Sequence, residues 1–288
     1  GSLDGTVDAG DGEDSLLTTD GVDADAVTLT ATDAGTGLIN TVTTSFMATE
    51  NVDLRGGDDT FTVTDGASLT GTLSGGIGSD TLVGPDSGAT FNVTANNQGE
   101  LLDAAGAIKL LGTAPVTPGF SSIENLTGGA GDDVFTLQNS VTLDGNLDGG
   151  GGTNTLNLNS GASIGGTVQN VDVTIVVDTN SGINPGDVTD DILVQIAVGQ
   201  LEVVVNGSSN QFFVPTTANL NVTLDIQSQG GADNLTIDYS SEVPALGQLL
   251  PTDLQFNTTD GNDRVRLVGR AGIATTYVPA LVAGQRVI

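Results

Sequence analysis

The feature that most constrains this chain is that it repeats itself. Residues 51–61 (NVDLRGGDDTF) align without a gap on residues 125–135 (NLTGGAGDDVF), 74 positions later, and the match runs on through Leu69/Leu143, Leu73/Leu147, Gly75/Gly149 and Leu82/Leu156. A shorter period lies inside the long one. Asp59 to Asp80, Asp133 to Asn154 and Leu143 to Ile164 are each 21 residues apart, and GASLTGTL (66–73) returns as GASIGGTV (161–168). Fixed periods of this size are the mark of architectures in which each repeat buries its apolar face against the next.

The fold class that follows is all-β: a parallel β-helix, or β-solenoid, of about 21-residue coils. Alternation such as Phe61-Thr62-Val63 and Leu156-Asn157-Leu158 predicts two or three short strands per coil, joined by Gly/Asp/Asn turns. The inward set is then Phe61, Val63, Leu69, Leu73, Leu82, Phe135, Leu137, Leu143, Leu147, Leu156 and Leu158. Residues 100–111 (ELLDAAGAIKLL) read as one short helix or a loop crossing the coil. The repetitive texture covers 1–185. Residues 186–288 read as a C-terminal β region, with a hairpin at 192–205 extended by Asn206-Gly207.

Composition narrows the chemistry. There are 36 acidic and 6 basic residues, no Cys and no His, for a formal net charge of −30. Such a charge repels nucleic acid and anionic membranes, and a compact state needs something to screen it, for which divalent cations are the natural candidates. Without Cys or His there are no disulfides, no thiol chemistry and no imidazole base or ligand. No run of about 18 apolar residues is present, so no segment reads as a membrane-inserted helix. The first residues, Gly1-Ser2-Leu3-Asp4, lack the basic and apolar regions of a secretory signal and read as the start of a processed form or a fragment.

Seven turns share the core G-x-G-x-D-x-hydrophobic, or a shortened form of it. They fall at 10–16, 55–61, 75–82, 128–135, 149–156, 230–235 and 260–265. Glycine permits the backbone to aim carbonyls at one point, and aspartate adds hard oxygen ligands, which is the chemistry of calcium. The candidate metal residues are Asp11, Asp14, Asp58, Asp59, Gly76, Gly78, Asp80, Gly129, Gly131, Asp132, Asp133, Asp233, Asp260 and Asp263. The plain alternative is that Gly and Asp stand there because tight turns favour them.

These turns resemble the haemolysin-type (RTX) nonapeptide GGxGxDxUx. The blocks IENLTGGAGDDVF (123–135) and DGGGGTNTL (148–156) resemble those of very large repetitive bacterial surface proteins. The resemblance covers most of 46–168. It implies a secreted or cell-surface location, calcium-stabilised folding and a structural or adhesive role. The copies here stand 21 or more residues apart rather than in direct tandem, and Asn154 replaces the usual Asp. A site would therefore need consecutive coils, with Asp58 and Asp59 over Asp80, or Asp132 and Asp133 over Asn154.

Three functions compete. The leading one is an extracellular structural element: a filament subunit, surface-layer component or adhesin/stalk segment, and not an enzyme. The rival is a polysaccharide-binding or polysaccharide-degrading β-helix, for which Arg55 among Asp53, Asp58 and Asp59 is the sole carboxylate–cation cluster. An ice-binding face fails because the Thr-x-Thr triplets recur at no constant spacing. The ends are oppositely charged. The first 25 residues hold Asp4, Asp8, Asp11, Glu13, Asp14 and three further acids with no base, and the last 25 hold Arg264, Arg266, Arg270 and Arg286 with no acid. Copies of the chain joined head to tail are the expected partners, with a polysaccharide or other surface proteins as further ones.

Overall fold

The computed structural model describes residues 6–18, 21, 23–39, 42–110, 119–159, 161–178, 190–197, 200–205, 208–212, 222–228, 232–238, 253–258 and 264–268. Among them the chain is all-β, with no helix, and its sheets are built largely from parallel strands. A nine-stranded sheet runs Thr6–Asp8, Val42–Met47, Ala34–Ile39, Ala26–Ala31, Thr60–Val63, Thr81–Val83, Asn125–Thr127, Leu147–Asp148 and Val168–Gln169. A twelve-stranded sheet begins at Ser15–Leu17, Asn51–Asp53 and Leu73–Ser74 and ends at Asp172–Asp178, Val222–Ser228 and Asp253–Thr258. Thr142–Leu143 pairs with Ser163–Ile164, and a five-stranded sheet runs Ser208–Phe212, Gln200–Val205, Asp191–Ala197, Asn234–Asp238 and Arg264–Val268.

The 21-residue period is the register of six of the parallel pairs, all between residues 51 and 169. Phe61 lies opposite Leu82, Leu126 opposite Leu147, Phe135 opposite Leu156, Leu147 opposite Val168, and Leu143 opposite Ile164. Side chains alternate across a strand, so a register of one whole repeat stacks like on like and keeps every apolar residue on one face. All eleven residues of the inward set are buried. At the rate of about 1.5–3 kcal/mol for each large apolar side chain buried, these columns dominate stability. Phe91 and Phe135 stack with centroids 4.6 Å apart.

Antiparallel excursions break the regularity at three places. Ala26–Ala31, Ala34–Ile39 and Val42–Met47 form one meander, Ala89–Ala95, Gln98–Asp103 and Ile108–Leu110 a second, and Asp191–Ala197, Gln200–Val205 and Ser208–Phe212 a third. The second replaces the short helix or crossing loop expected at 100–111. Asp103 Oδ1 accepts the amide hydrogens of Ala105 and Ala107, which closes a tight turn between two strands instead of a helical one.

That excursion also exchanges the faces of the repeat. Asn51–Asp53 belongs to the twelve-stranded sheet, whereas its repeat mate Asn125–Thr127 belongs to the nine-stranded one; Thr60–Val63 and Val134–Leu137 are exchanged the opposite way. Ala89–Ala95, Gln98–Asp103, Ile108–Leu110 and Phe120–Ser121 all belong to the twelve-stranded sheet, and Asn125–Thr127 then lies in the nine-stranded one. These successive strands in one sheet shift the phase of the repeat.

Candidate functional site

Two pairs of glycine–aspartate turns lie over one another, and two side chains join the turns of each pair. Where 54–59 meets 75–80, Asp58 Oδ1 accepts the Ser79 amide hydrogen at 2.9 Å. In return, Asp80 Oδ1 accepts the amide hydrogen of Asp59 at 2.9 Å. The pair 128–133 and 149–154 repeats this, with Thr153 donating to Asp132 Oδ1 at 2.7 Å and Asp133 donating to Asn154 Oδ1 at 2.9 Å. Further along, the Asp190 amide donates to Asp233 Oδ1 at 2.8 Å. Each bond gives a turn N–H an acceptor, so these side chains act first as stitches between repeats.

Close approach explains the glycines. A Cβ on Gly78 (φ +153°) would lie 1.7 Å from the Gly57 carbonyl oxygen. Gly129 and Gly131 do not adopt a positive φ; they are needed because the chain at 85–88 runs against them, with Pro85 O 2.2 Å from the Cβ position of Gly129. At this copy, then, glycine is needed for close approach and not for a left-handed backbone. Gly76, at φ +98°, does adopt one.

The phase shift divides the turns into two columns. Asp59 takes the Asp25 amide hydrogen, Asp80 takes that of Asp59, and the Asp80 amide then donates to Glu124 Oε2 at 2.9 Å. Asp133 belongs elsewhere: its Oδ1 accepts the Ala89 amide hydrogen at 2.7 Å. Glu124 and its repeat mate Glu50, which accepts the Asp14 amide hydrogen at 2.8 Å, are functional residues the turn pattern missed. So is Asn125, whose Oδ1 takes the Asn146 amide hydrogen 21 residues on. The signal was available in the repeat itself, as Glu50-Asn51 and Glu124-Asn125.

The second oxygens of these carboxyls are the unusual feature. Asp59, Asp80 and Asp133 are fully buried, and the Oδ2 of each, like that of Asp14, accepts no hydrogen bond. Oδ2 of Asp133 and the Gly149 carbonyl oxygen flank one point, each 2.3 Å from where a Cβ on Gly128 would sit; Oδ2 of Asp80 and the Ser122 carbonyl flank the matching point at Gly75. At 149–154 an amide occupies that position, and Asn154 Nδ2 donates to Gly151 O at 2.8 Å and Asn170 O at 2.9 Å. Where asparagine gives hydrogens to carbonyls, aspartate offers them another oxygen.

Burial accordingly raises the carboxyl pKa values. Asp80 is pushed up to about 6 by desolvation, opposed by the Asp59 amide and reinforced by the charges of Asp59, Glu124 and Asp58. Asp133 reaches about 6 by the same cause, opposed by the amides of Ala89 and Gly129 and reinforced by Asp132 and Asp86. Asp59 is raised as well, again mainly by burial.

Among the described residues no group of three or more carboxylates converges on one point in the manner of a metal cluster. Oδ2 beside backbone carbonyls is nevertheless an oxygen-only donor set of the kind hard cations take. Asp58 and Asp132 are exposed beside these buried partners, and Asp11 and Glu13 are exposed near Asp14. Asp4, Asp260, Asp263, Arg270 and Arg286 lie outside the described residues. Arg55 donates its amide hydrogen to Asp53 Oδ1 at 3.1 Å, while the Asp59 carboxyl is buried beneath it. No protein-family model, curated protein or solved structure matches the chain.

Proposed function

We propose that this chain is an extracellular structural protein, a calcium-stabilised parallel β-solenoid serving as a filament subunit, surface-layer component or adhesin/stalk segment. The observation that carries the reading is the reciprocal stitch between turns 21 residues apart. A fold that commits its most acidic residues to joining one coil to the next is organised for length and stiffness. The parallel register and the single apolar column within each repeat support stacked coils that rise about 4.8 Å each.

Calcium enters through the orphan oxygens. Asp59, Asp80 and Asp133 would hold it through Oδ2 together with neighbouring backbone carbonyls, with the exposed Asp58 and Asp132 beside them. The ion supplies positive charge where buried oxygens otherwise face one another, in a chain of formal charge −30. Binding to the folded form alone raises stability by mass action, by about 2.7 kcal/mol at one hundred times the dissociation constant. Thermal melts in excess calcium and in chelator test this. The curve in calcium is expected to lie clearly higher, and coincident curves would sink the calcium reading.

A further inference from the structure

We propose that a second copy of the chain docks end to end, laying its Ser15–Leu17 strand on the outer edge of Arg264–Val268 with Ser15 opposite Arg264. This rests on the stacked-coil reading above and goes further, because it names the two edges and their register.

Among the described residues Ser15–Leu17 pairs only with Asn51–Asp53, and Arg264–Val268 only with Asn234–Asp238, so each stands last in its sheet as far as the described residues go. Edge strands with unpaired N–H and C=O groups are templates for another strand. The apolar columns stop short at both edges. Val265 lies opposite the fully buried Leu235 yet is 37% exposed, and Leu16, opposite the buried Val52, is only partly covered.

The register comes from the molecule's own habit. In each parallel pair that follows a turn Asp or Asn, the residues just after it face each other: Thr60 and Thr81, Val134 and Thr155, Asn234 and Arg264. Ser15 follows Asp14 and Arg264 follows Asp263, so the same rule sets Ser15 against Arg264. Leu16 then covers Val265, and Arg266 lies along Leu17, which is 48% exposed.

Charge selects this partner. Arg264 and Arg266 are exposed on one edge, and the turn leading into the other carries exposed Asp11 and Glu13 beside Asp14, with Asp8 close by in sequence. Two copies of either edge alone would repel, so association runs head to tail and propagates rather than closing.

The chain has no cysteine, which makes cross-linking a clean test. Ser15→Cys and Arg264→Cys, made as separate variants and mixed under mild oxidation, are expected to give a disulfide-linked dimer, since parallel neighbours fall within disulfide reach. The double variant is expected to give a ladder of linked oligomers. Thr62→Cys mixed with Arg264→Cys is the control and should remain unlinked. Without cysteines, Arg264→Glu with Arg266→Glu should weaken association roughly tenfold or more in sedimentation. Cross-linking no better than the control, or a strict monomer at every concentration and salt, overturns the docking. The melt in calcium and chelator, run on the same monomer, separates the outcomes: a calcium shift that persists leaves the stacked-coil reading standing and removes only the interface.

Discussion

Turns 128–133 and 149–154 end in side chains that differ by one atom, Asp133 and Asn154, although Gly150 and Gly152 take a positive φ where Gly129 and Gly131 do not. Each passes the carbonyl of its last residue onward, Asp133 O to the Thr155 amide and Asn154 O to the Asp172 amide. Asp133 ends the first and Asn154 the second. The amide nitrogen of Asn154 donates to two carbonyl oxygens, while Oδ2 of Asp133 is buried near a carbonyl and takes no hydrogen bond of ordinary geometry, with the Gly129 amide close to the carboxyl. The position beside a carbonyl that Asn154 fills with a donor is filled with an acceptor at Asp80 and Asp133. An acceptor buried there without a partner is costly, and a proton or a cation would offset that cost.

The largest effect should come from making the second turn like the first. Asn154→Asp removes two donated hydrogen bonds and buries a carboxylate against Gly151 O and Asn170 O. We expect a loss of about 3 kcal/mol at neutral pH in chelator, measured by urea unfolding. A loss under about 0.5 kcal/mol, the range of an ordinary surface change, would mean that the position does not require a donor.

The reverse change should stabilise. Asp133→Asn is expected to gain about 1–2 kcal/mol at pH 7 in chelator, because the new amide can donate to the carbonyls. Its pH dependence carries the argument further. Asp80 and Asp133 titrate at about 6 in the folded chain against an ordinary 3.8, so the folded state binds their protons more tightly than the unfolded state does. The stability this contributes is fully present below the unfolded value of 3.8 and is lost as pH rises through about 6. The unaltered protein in chelator should therefore be more stable at pH 4 than at pH 7, and Asp133→Asn should flatten part of that slope. Excess calcium should shrink the gain from asparagine. A gain that ignores both pH and calcium would break the comparison.

Much of this was legible in the sequence, for a physical reason. A register of 21 preserves side-chain parity only if strands stack in parallel at that offset, so Asp59 over Asp80 and Leu143 beside Ile164 follow from the spacing alone. The exchange of faces at 89–121 was not legible. Alternation in 100–111 is short and interrupted by Gly106, and nothing local says how many successive strands an excursion keeps in one sheet. Nor was the orphan oxygen. G-x-G-x-D specifies that aspartate closes the turn, while the direction of its second oxygen depends on a carbonyl from another coil. Glu50 and Glu124 were hidden differently: each lies before an obvious strand, and its partner amide is 36 or 44 residues away.

The smallest expected effect concerns a backbone angle in the other column. Gly76 sits at φ +98°, and Arg55, one repeat earlier, takes φ +62° at the equivalent position of its turn. A left-handed backbone costs a non-glycine residue roughly 1–2 kcal/mol, whereas glycine adopts it freely. Arg55 is also one of only two cations before residue 264, set among Asp53, Asp58 and Asp59, so its replacement changes charge and backbone together. Two substitutions separate them. Arg55→Ala removes the charge and keeps the strain, and Arg55→Gly removes both. If the turn at 55–59 has the same backbone requirement as the turn at 76–80, the glycine variant should be more stable than the alanine variant by about 1 kcal/mol in urea unfolding. Equal stabilities would show that the arginine, unlike its glycine counterpart, sits in an unstrained turn and is kept for its charge alone.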